Sequence, residues 1–172
     1  KETEFKELYE NDSNEKKYVK DITIDTDFEL LFPDDYVNNI SERLNLYTAL
    51  NGLKTEEDLE DFQLKLIDRF GELPVQVEDL LNSVRIKWVG TQLGFEKLVM
   101  KQNKTIGYFI KDQQSSFYQS SNFTKILSYV QSHSSTCKMK EKETRQGLRL
   151  LLIFDKVKSV EEALKVLQPI LE

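Results

Sequence analysis

From Leu59 onward, apolar residues recur as Leu59, Phe62, Leu66, Ile67 and Phe70, a stripe along one side of a helix. At about 100° per residue, Asp61, Lys65, Asp68 and Glu72 fall opposite that stripe. Thr55, followed by Asp58 three residues on, is a candidate N-cap for this helix. Gly71 stands just past Phe70, where a left-handed cap favours glycine. Pro74 then pre-sets the backbone for the first turn of a second helix. That helix is expected to run to about Leu93 on a stripe of Val77, Leu80, Leu81, Val84 and Trp88, with Gly94 as its stop. Upstream, Pro33-Asp34-Asp35 opens a third helix, in which Val37, Ile40, Leu44 and Tyr47 share a face up to Asn51-Gly52. Three helices on short connections predict a packed helical part.

Elsewhere the period is two. Ile22, Ile24, Phe28, Leu30 and Phe32 predict a strand interrupted near Asp25-Thr26-Asp27. After Gly94, Leu98 with Met100, and Ile106 with Tyr108 and Ile110, predict two strands joined at Gln102-Asn103-Lys104. Gln113 to Ser121 reads as a loop or short edge strand around Phe117-Tyr118, followed by a helix on Phe123, Ile126, Leu127 and Val130. Cys137 to Lys140 alternates again, Arg145-Gln146-Gly147 turns, and Leu148 to Phe154 is an apolar strand. Ser159-Val160-Glu161-Glu162 is a capping box for a last helix facing inward with Val160, Ala163, Leu164 and Leu167. The order β-β-(β)-α-β-β-α predicts an α+β fold, a mostly antiparallel sheet backed by helices, with a helical part packed on it. Residues 1–11 read as a short helix on Phe5, Leu8 and Tyr9, broken by Asn11-Asp12-Ser13-Asn14. Residues 21–172 are read as one domain in two parts, 21–94 and 95–172.

Composition narrows the classes. The 172 residues suffice for a sizeable core. No apolar run approaches the roughly 20 residues of a membrane span, and the charged start Lys1-Glu2-Thr3-Glu4 lacks the apolar segment of a signal peptide. A first residue other than Met is expected of a piece of a longer chain. A single cysteine, Cys137, fits a reducing, cytoplasmic setting. The net charge of −6 hides a polarity: residues 1–94 carry 22 acidic and 11 basic side chains, residues 95–172 carry 8 and 13. Two faces with different partners, one half neutralising the other, or two solvated surfaces would each produce it.

No phosphate-cradling Gly-x-x-x-x-Gly-Lys-Ser/Thr, no Gly-x-Gly-x-x-Gly and no Gly-x-Ser-x-Gly elbow occurs. One histidine, His133, leaves little for a zinc site or a triad. A Cys137–His133 nucleophile pair is formally possible, but the alternation around Cys137 favours a buried strand residue. The carboxylates Asp34-Asp35 and Glu56-Glu57-Asp58 are explained by helix starts before they are explained by a cation. No active site, cofactor site or metal site is expected. Two surfaces remain. Lys138, Lys140 and Lys142 share one side of a strand, with Arg145 and Arg149 beyond, and a basic hairpin can track phosphates. Against it, Glu141 and Glu143 alternate with those lysines, and edge-strand lysines guard against aggregation. Tyr108, Phe109, Phe117 and Tyr118 could stack bases, though core packing is the stronger explanation of each. The other surface is the acidic helix face, with seven carboxylates against Lys65 and Arg69 between Glu56 and Glu72. It is either solvated, with an Asp61–Lys65 pair, or a docking surface for a basic partner.

The stretch Ile67-Asp68-Arg69-Phe70-Gly71-x-x-Pro74 resembles the C-terminal domain of bacterial transcription-repair coupling factors, as do Phe32-Pro33-Asp34-Asp35-Tyr36-Val37 and Arg43-Leu44-x-x-Tyr47. The resemblance is dense from about Ile24 to Leu98, and it implies that residues 1–20 are a linker or trailing helix from a preceding motor domain. It implies a regulatory lid without catalysis in a large DNA-translocating ATPase that displaces stalled RNA polymerase and recruits excision repair. In that family the lid packs on a UvrB-like domain and masks the surface that binds UvrA, through carboxylates of Glu-Leu-x-Asp-Arg-Phe-Gly that meet arginines. Asp68 matches the second carboxylate, while Lys65 replaces the first. The interdomain interface implied is Asp61, Lys65, Asp68, Arg69 and Glu72, on a domain expected to be monomeric when isolated and to touch no membrane. The alternative is an accessory module that helps the motor grip DNA.

Overall fold

The computed structural model describes residues 18–172; the helix expected on Phe5, Leu8 and Tyr9 lies outside them. Strand β1 (Thr23–Thr26) is followed by three helices, α1 (Ile40–Asn51), α2 (Glu56–Phe70) and α3 (Val75–Gln92). Then come β2 (Phe95–Lys101), β3 (Lys104–Phe109), a 3-10 turn at Ser116–Gln119, α4 (Ser121–Ser132), β4 (Cys137–Thr144), β5 (Gly147–Asp155), α5 (Val160–Leu167) and a closing 3-10 turn at Gln168–Leu171. One five-stranded sheet has the order β1-β2-β3-β5-β4, with β1 parallel to β2 and every other pairing antiparallel. The α+β architecture expected from the hydrophobic pattern is the one found.

Two hydrophobic clusters hold it together. One lies between the sheet and α3, α4 and α5, and contains Ile86, Leu93, Leu98, Phe109, Ile126, Phe154 and Leu164. The other joins α1, α2 and α3 through Leu50, Leu59, Leu66, Val77, Leu81 and Val84. Helix α3 belongs to both. The single stripe expected on it is only half of its buried surface, because Ile86 and Leu93 face the sheet while Leu81 and Val84 face α2. A helix apolar on two sides is a wall between cores.

Several local expectations are corrected. The first strand is only four residues long and contains Asp25 and Thr26, the expected interruption. Phe28 and Leu30 pack against the core beyond it without strand pairing. The Pro33 segment forms a turn, with Tyr36 N–H and Val37 N–H both donating to the Pro33 carbonyl at 3.0 Å. The helix begins only at Ile40, capped by Asn39, whose side chain accepts from Glu42 N–H. On α1, Ile40 and Leu44 are exposed and the inward residues are Tyr47 and Leu50, while on α2 Ile67 lies outside the buried stripe. Leu127 of α4 also faces solvent, and Pro74 is the N-cap of α3 and not its first residue. Phe117 and Tyr118 stand in a 3-10 turn and not in an edge strand.

The parity of β3 is reversed. Thr105, Gly107 and Phe109 face the core, and Ile106 and Tyr108 lie on the other side, half-buried. The reason is Phe95: a Cβ on Gly107 would stand 2.3 Å from its ring. The space opposite Gly107 is filled from β2, so the smallest residue of the strand is the one that points inward. Two caps come out as read. Thr55 accepts from Asp58 N–H at 3.1 Å, and Ser159 accepts from Glu162 N–H at 3.1 Å. The Glu162 carboxylate accepts in return from Lys158 N–H, one residue before the position a capping box uses.

Phe109, Phe117, Tyr118 and Phe123 pack edge-on under the sheet. The Tyr118 hydroxyl donates to the Ile110 carbonyl, and burial pushes its pKa up to about 12, with Glu96 adding to the rise. A phenol raised above its unfolded value of about 10 stabilises the fold below that pH and loses this contribution as pH climbs through its folded value. The wild-type chain should therefore be more stable than Tyr118→Phe below pH about 10, with the gap closing by about 12. Denaturant midpoints of the two proteins across that range measure it. A constant gap would mean that the Tyr118 phenol titrates alike in the folded and unfolded chains, so that the fold does not raise its pKa.

Candidate docking face on the second helix

Helix α2 turns Leu59, Phe62 and Leu66 into the helical cluster. Its C-terminus is fixed from outside. The Tyr36 hydroxyl donates to the Gly71 carbonyl at 2.8 Å and to the Leu66 carbonyl at 3.3 Å. Gly71 adopts φ 91° and ψ −166°, a region open to glycine alone and more restrictive than the left-handed cap expected there. Arg43, mostly shielded, donates to the Val37 carbonyl at 2.6 Å, and the Tyr47 hydroxyl accepts from Phe32 N–H at 2.8 Å. The motif residues Tyr36, Arg43, Tyr47 and Gly71 are thus clamps that hold the helices in place.

Asp68 is different. Asp61, Lys65, Asp68 and Glu72 are all exposed, and among the described residues none of them has an ion pair or a side-chain hydrogen bond. The expected Asp61–Lys65 pair is not formed. Two charges of the acidic segment are committed elsewhere: Glu56 binds the Arg85 guanidinium of α3 through both oxygens at 2.9 Å, and Arg69 pairs with Glu42 of α1 while lying 5.0 Å from the Phe70 ring centre. Of the five sequence-derived site residues, four are free on the surface and Arg69 is tied into the fold.

Leu64 is the residue missed by the sequence reading. It is 65% exposed, and helical spacing sets it on the polar arc between Asp61 and Asp68. Its signal was available as a lone leucine off the stripe. An exposed leucine ringed by unpaired charges is the composition of an interface centre with a polar rim.

The other candidates separate cleanly. The Cys137 thiol donates to the backbone carbonyl of His133 at 3.8 Å, and burial pushes its pKa up. The His133 ring stacks on Tyr129 with its Nδ1 at the Tyr129 carbonyl. The two side chains do not form a nucleophile pair, and Cys137 is a buried strand residue. Phe109 and Phe117 are fully buried, leaving Tyr108 as the half-exposed aromatic of the sheet. Among the described residues no helix is long and apolar enough to cross a membrane, and no group of three or more His, Cys, Asp or Glu gathers as for a metal.

The TRCF domain model matches residues 26–120. The chain is 35% identical over 119 residues to the transcription-repair-coupling factor of Rickettsia conorii, covering 69% of this chain and 10% of that protein. It is 40% identical over 68 residues to the Escherichia coli K12 factor of the same name, covering 40% of this chain and 6% of that one. The chain thus spans about a tenth of the length of such relatives. A crystal structure of the C-terminal domain of transcription-repair coupling factor superimposes with a TM-score of 0.65 at 23% identity, over 88% of this chain and 91% of that one, which shows a shared fold.

Proposed function

The chain belongs to the TRCF domain family, and from that membership we infer an autoinhibitory docking module, without catalysis of its own, in a cytoplasmic transcription-repair coupling factor. Its α2 face packs on the UvrB-like domain of the parent chain and masks the UvrA-binding surface. The parent is an ATP-dependent DNA translocase that displaces stalled RNA polymerase. The observation that supports the docking is the unpaired exposure of Asp61 and Asp68 around Leu64, on a helix whose buried stripe is already engaged within the domain. Carboxylates free of internal partners give up nothing inside the domain when they meet arginines outside it. Lys65 stands where the family pattern has a carboxylate, so the docking here rests on Asp61 and Asp68, with Lys65 opposing it.

Asp68→Ala should change the stability of the domain by no more than about 0.5 kcal/mol. In the full-length parent it should open the lid and raise UvrA affinity in the absence of polymerase, about tenfold for each 1.4 kcal/mol by which the closed state is weakened. Raised salt should mimic it, and Lys65→Glu should do the opposite. Titration of UvrA onto the three parent proteins decides the matter. Unchanged UvrA affinity in a folded Asp68→Ala parent would leave the face as solvated surface.

A further inference from the structure

Among the described residues, the five-stranded sheet is covered by helices on one side only. Leu98, Met100, Phe109, Leu152 and Phe154 point into the cluster that α3, α4 and α5 close. The opposite side, set by the strand registers, has a buried Leu151 and the half-buried Val99, Ile106, Tyr108 and Ile153 at its centre, and these belong to neither cluster. Around them the same registers gather Lys97 and Lys101 from β2, Lys104 from β3, Arg149 from β5, and Lys138, Lys140 and Lys142 from β4. Glu141 and Glu143, which alternate with those lysines in sequence, fall on the other side of β4 opposite Leu150 and Leu148. Pleating has segregated the charges that the sequence interleaves.

The basic side chains exceed their carboxylates. Asp25 takes Lys101 at 2.8 Å, Asp155 lies 3.7 Å from Lys104 and 3.6 Å from Lys138, and Glu96 takes Arg149 at 3.1 Å. Lys97, Lys140 and Lys142 have no ion pair among the described residues. Moreover, Lys142 sits directly across from Arg149, and Lys101 across from Lys104. Like charges in directly opposed positions destabilise a sheet, and here they occur twice in a chain whose net charge is −6. Guarding an edge against aggregation explains lysines on β4, an edge strand, but not those on β2 and β3, which are interior to the sheet. Asp25, Asp155 and Glu96 offset Lys101, Lys104 and Arg149 within the domain, so the charge left to meet an anion is that of Lys97, Lys140 and Lys142.

We propose that this open sheet face binds single-stranded nucleic acid, with phosphates on the lysine rows and bases over the apolar centre. The centre selects the single strand. A duplex would offer it only sugar and phosphate, whereas unstacked bases can lie on Val99, Ile106 and Tyr108. Successive lysines of β4 lie two residues apart, about 7 Å along the strand, close to the phosphate repeat of an extended single strand. Lys97 and Arg149 stand 5.5 and 5.4 Å from the centre of the Tyr108 ring, which keeps cations at the middle of the platform as well as at its rim. None of this involves α2, so its failure and that of the docking reading are separate events.

Anisotropy of a labelled oligothymidylate of about twenty nucleotides, titrated with the 172-residue chain at roughly 50 and 200 mM salt, tests the proposal. Binding should be detectable at the lower salt and fall steeply at the higher. Lys97→Gln/Lys140→Gln/Lys142→Gln should weaken it at least tenfold and lower the salt slope by about two, at about 0.7 for each phosphate no longer neutralised on a single strand. Lys54→Gln/Lys125→Gln/Lys165→Gln, the same charge change away from the sheet face, should leave both unchanged. No binding at the lower salt, equal losses in the two triple variants, or a duplex bound as tightly as the single strand would each overturn it. So would capture of polyglutamate in place of the oligonucleotide, which would assign the face to an acidic protein.

Discussion

Gly94→Ala is expected to cost about 2 to 5 kcal/mol, enough to leave little of a typical domain's stability. The residue lies at φ +79°, between the end of α3 and the start of β2. An alanine there bears the left-handed penalty of about 1 to 2 kcal/mol. Its Cβ would also stand 2.3 to 2.6 Å from three atoms of the Phe117 ring, which is fully buried. That ring cannot swing aside, because Phe109, Phe123 and Tyr118 surround it. Overpacking of a closed core adds about 1 to 3 kcal/mol. Urea denaturation of the wild type and the variant measures the sum. A loss under about 1 kcal/mol would mean that the 3-10 turn carrying Phe117 yields. Gly71→Ala makes the useful contrast, since nothing lies within 4 Å of its Cβ and only backbone strain remains.

The same pair of glycines shows what the sequence reveals and what it withholds. Both were legible as helix stops, because a glycine past an apolar stripe has a local meaning. That Gly94 also faces an aromatic cluster was not, because Phe117 arrives from more than twenty residues away. The helices were readable wherever one face is buried. The reading failed on α1, where Arg43 turns inward to the carbonyls of Val37 and Asn38 while Ile40 and Leu44 turn out. Hydropathy cannot anticipate an arginine used as a clamp. It failed on β3 for a similar reason, since Gly107 faces the core only because Phe95 fills its place. On the docking face, Asp61 and Asp68 follow from helical geometry alone, whereas Leu64 does not, because hydropathy assigns a leucine to the core and only the structure shows it exposed. The basic sheet face was half visible. Lys138, Lys140 and Lys142 alternate in sequence, but Lys97, Lys101 and Lys104 join them only through strand pairing.

Ile86→Ala tests the wall between the two cores and should carry the second largest loss. Ile86 is fully buried in the sheet cluster, on the side of α3 away from α2. Truncating a buried isoleucine to alanine costs about 2 to 5 kcal/mol, the upper part of that range applying where the site cannot collapse. Here the backbone on one side is a paired sheet and on the other a helix already packed against a second core, so little collapse is available. The single tryptophan of the chain, Trp88, lies on the same helix but packs against the helical cluster. Its fluorescence therefore reports the core that the substitution does not touch. If α3 makes the two clusters one cooperative unit, the Trp88 transition in urea should move by the same amount as the exchange protection of amides in β2, β3 and β5. Helix α3 holds residues of both cores within one turn, Val84 for one and Ile86 on the opposite side for the other, and it cannot lose one set while keeping the other in register. A Trp88 midpoint that stays in place while the sheet amides lose protection would split the domain into two folding units and make α3 a tether between them.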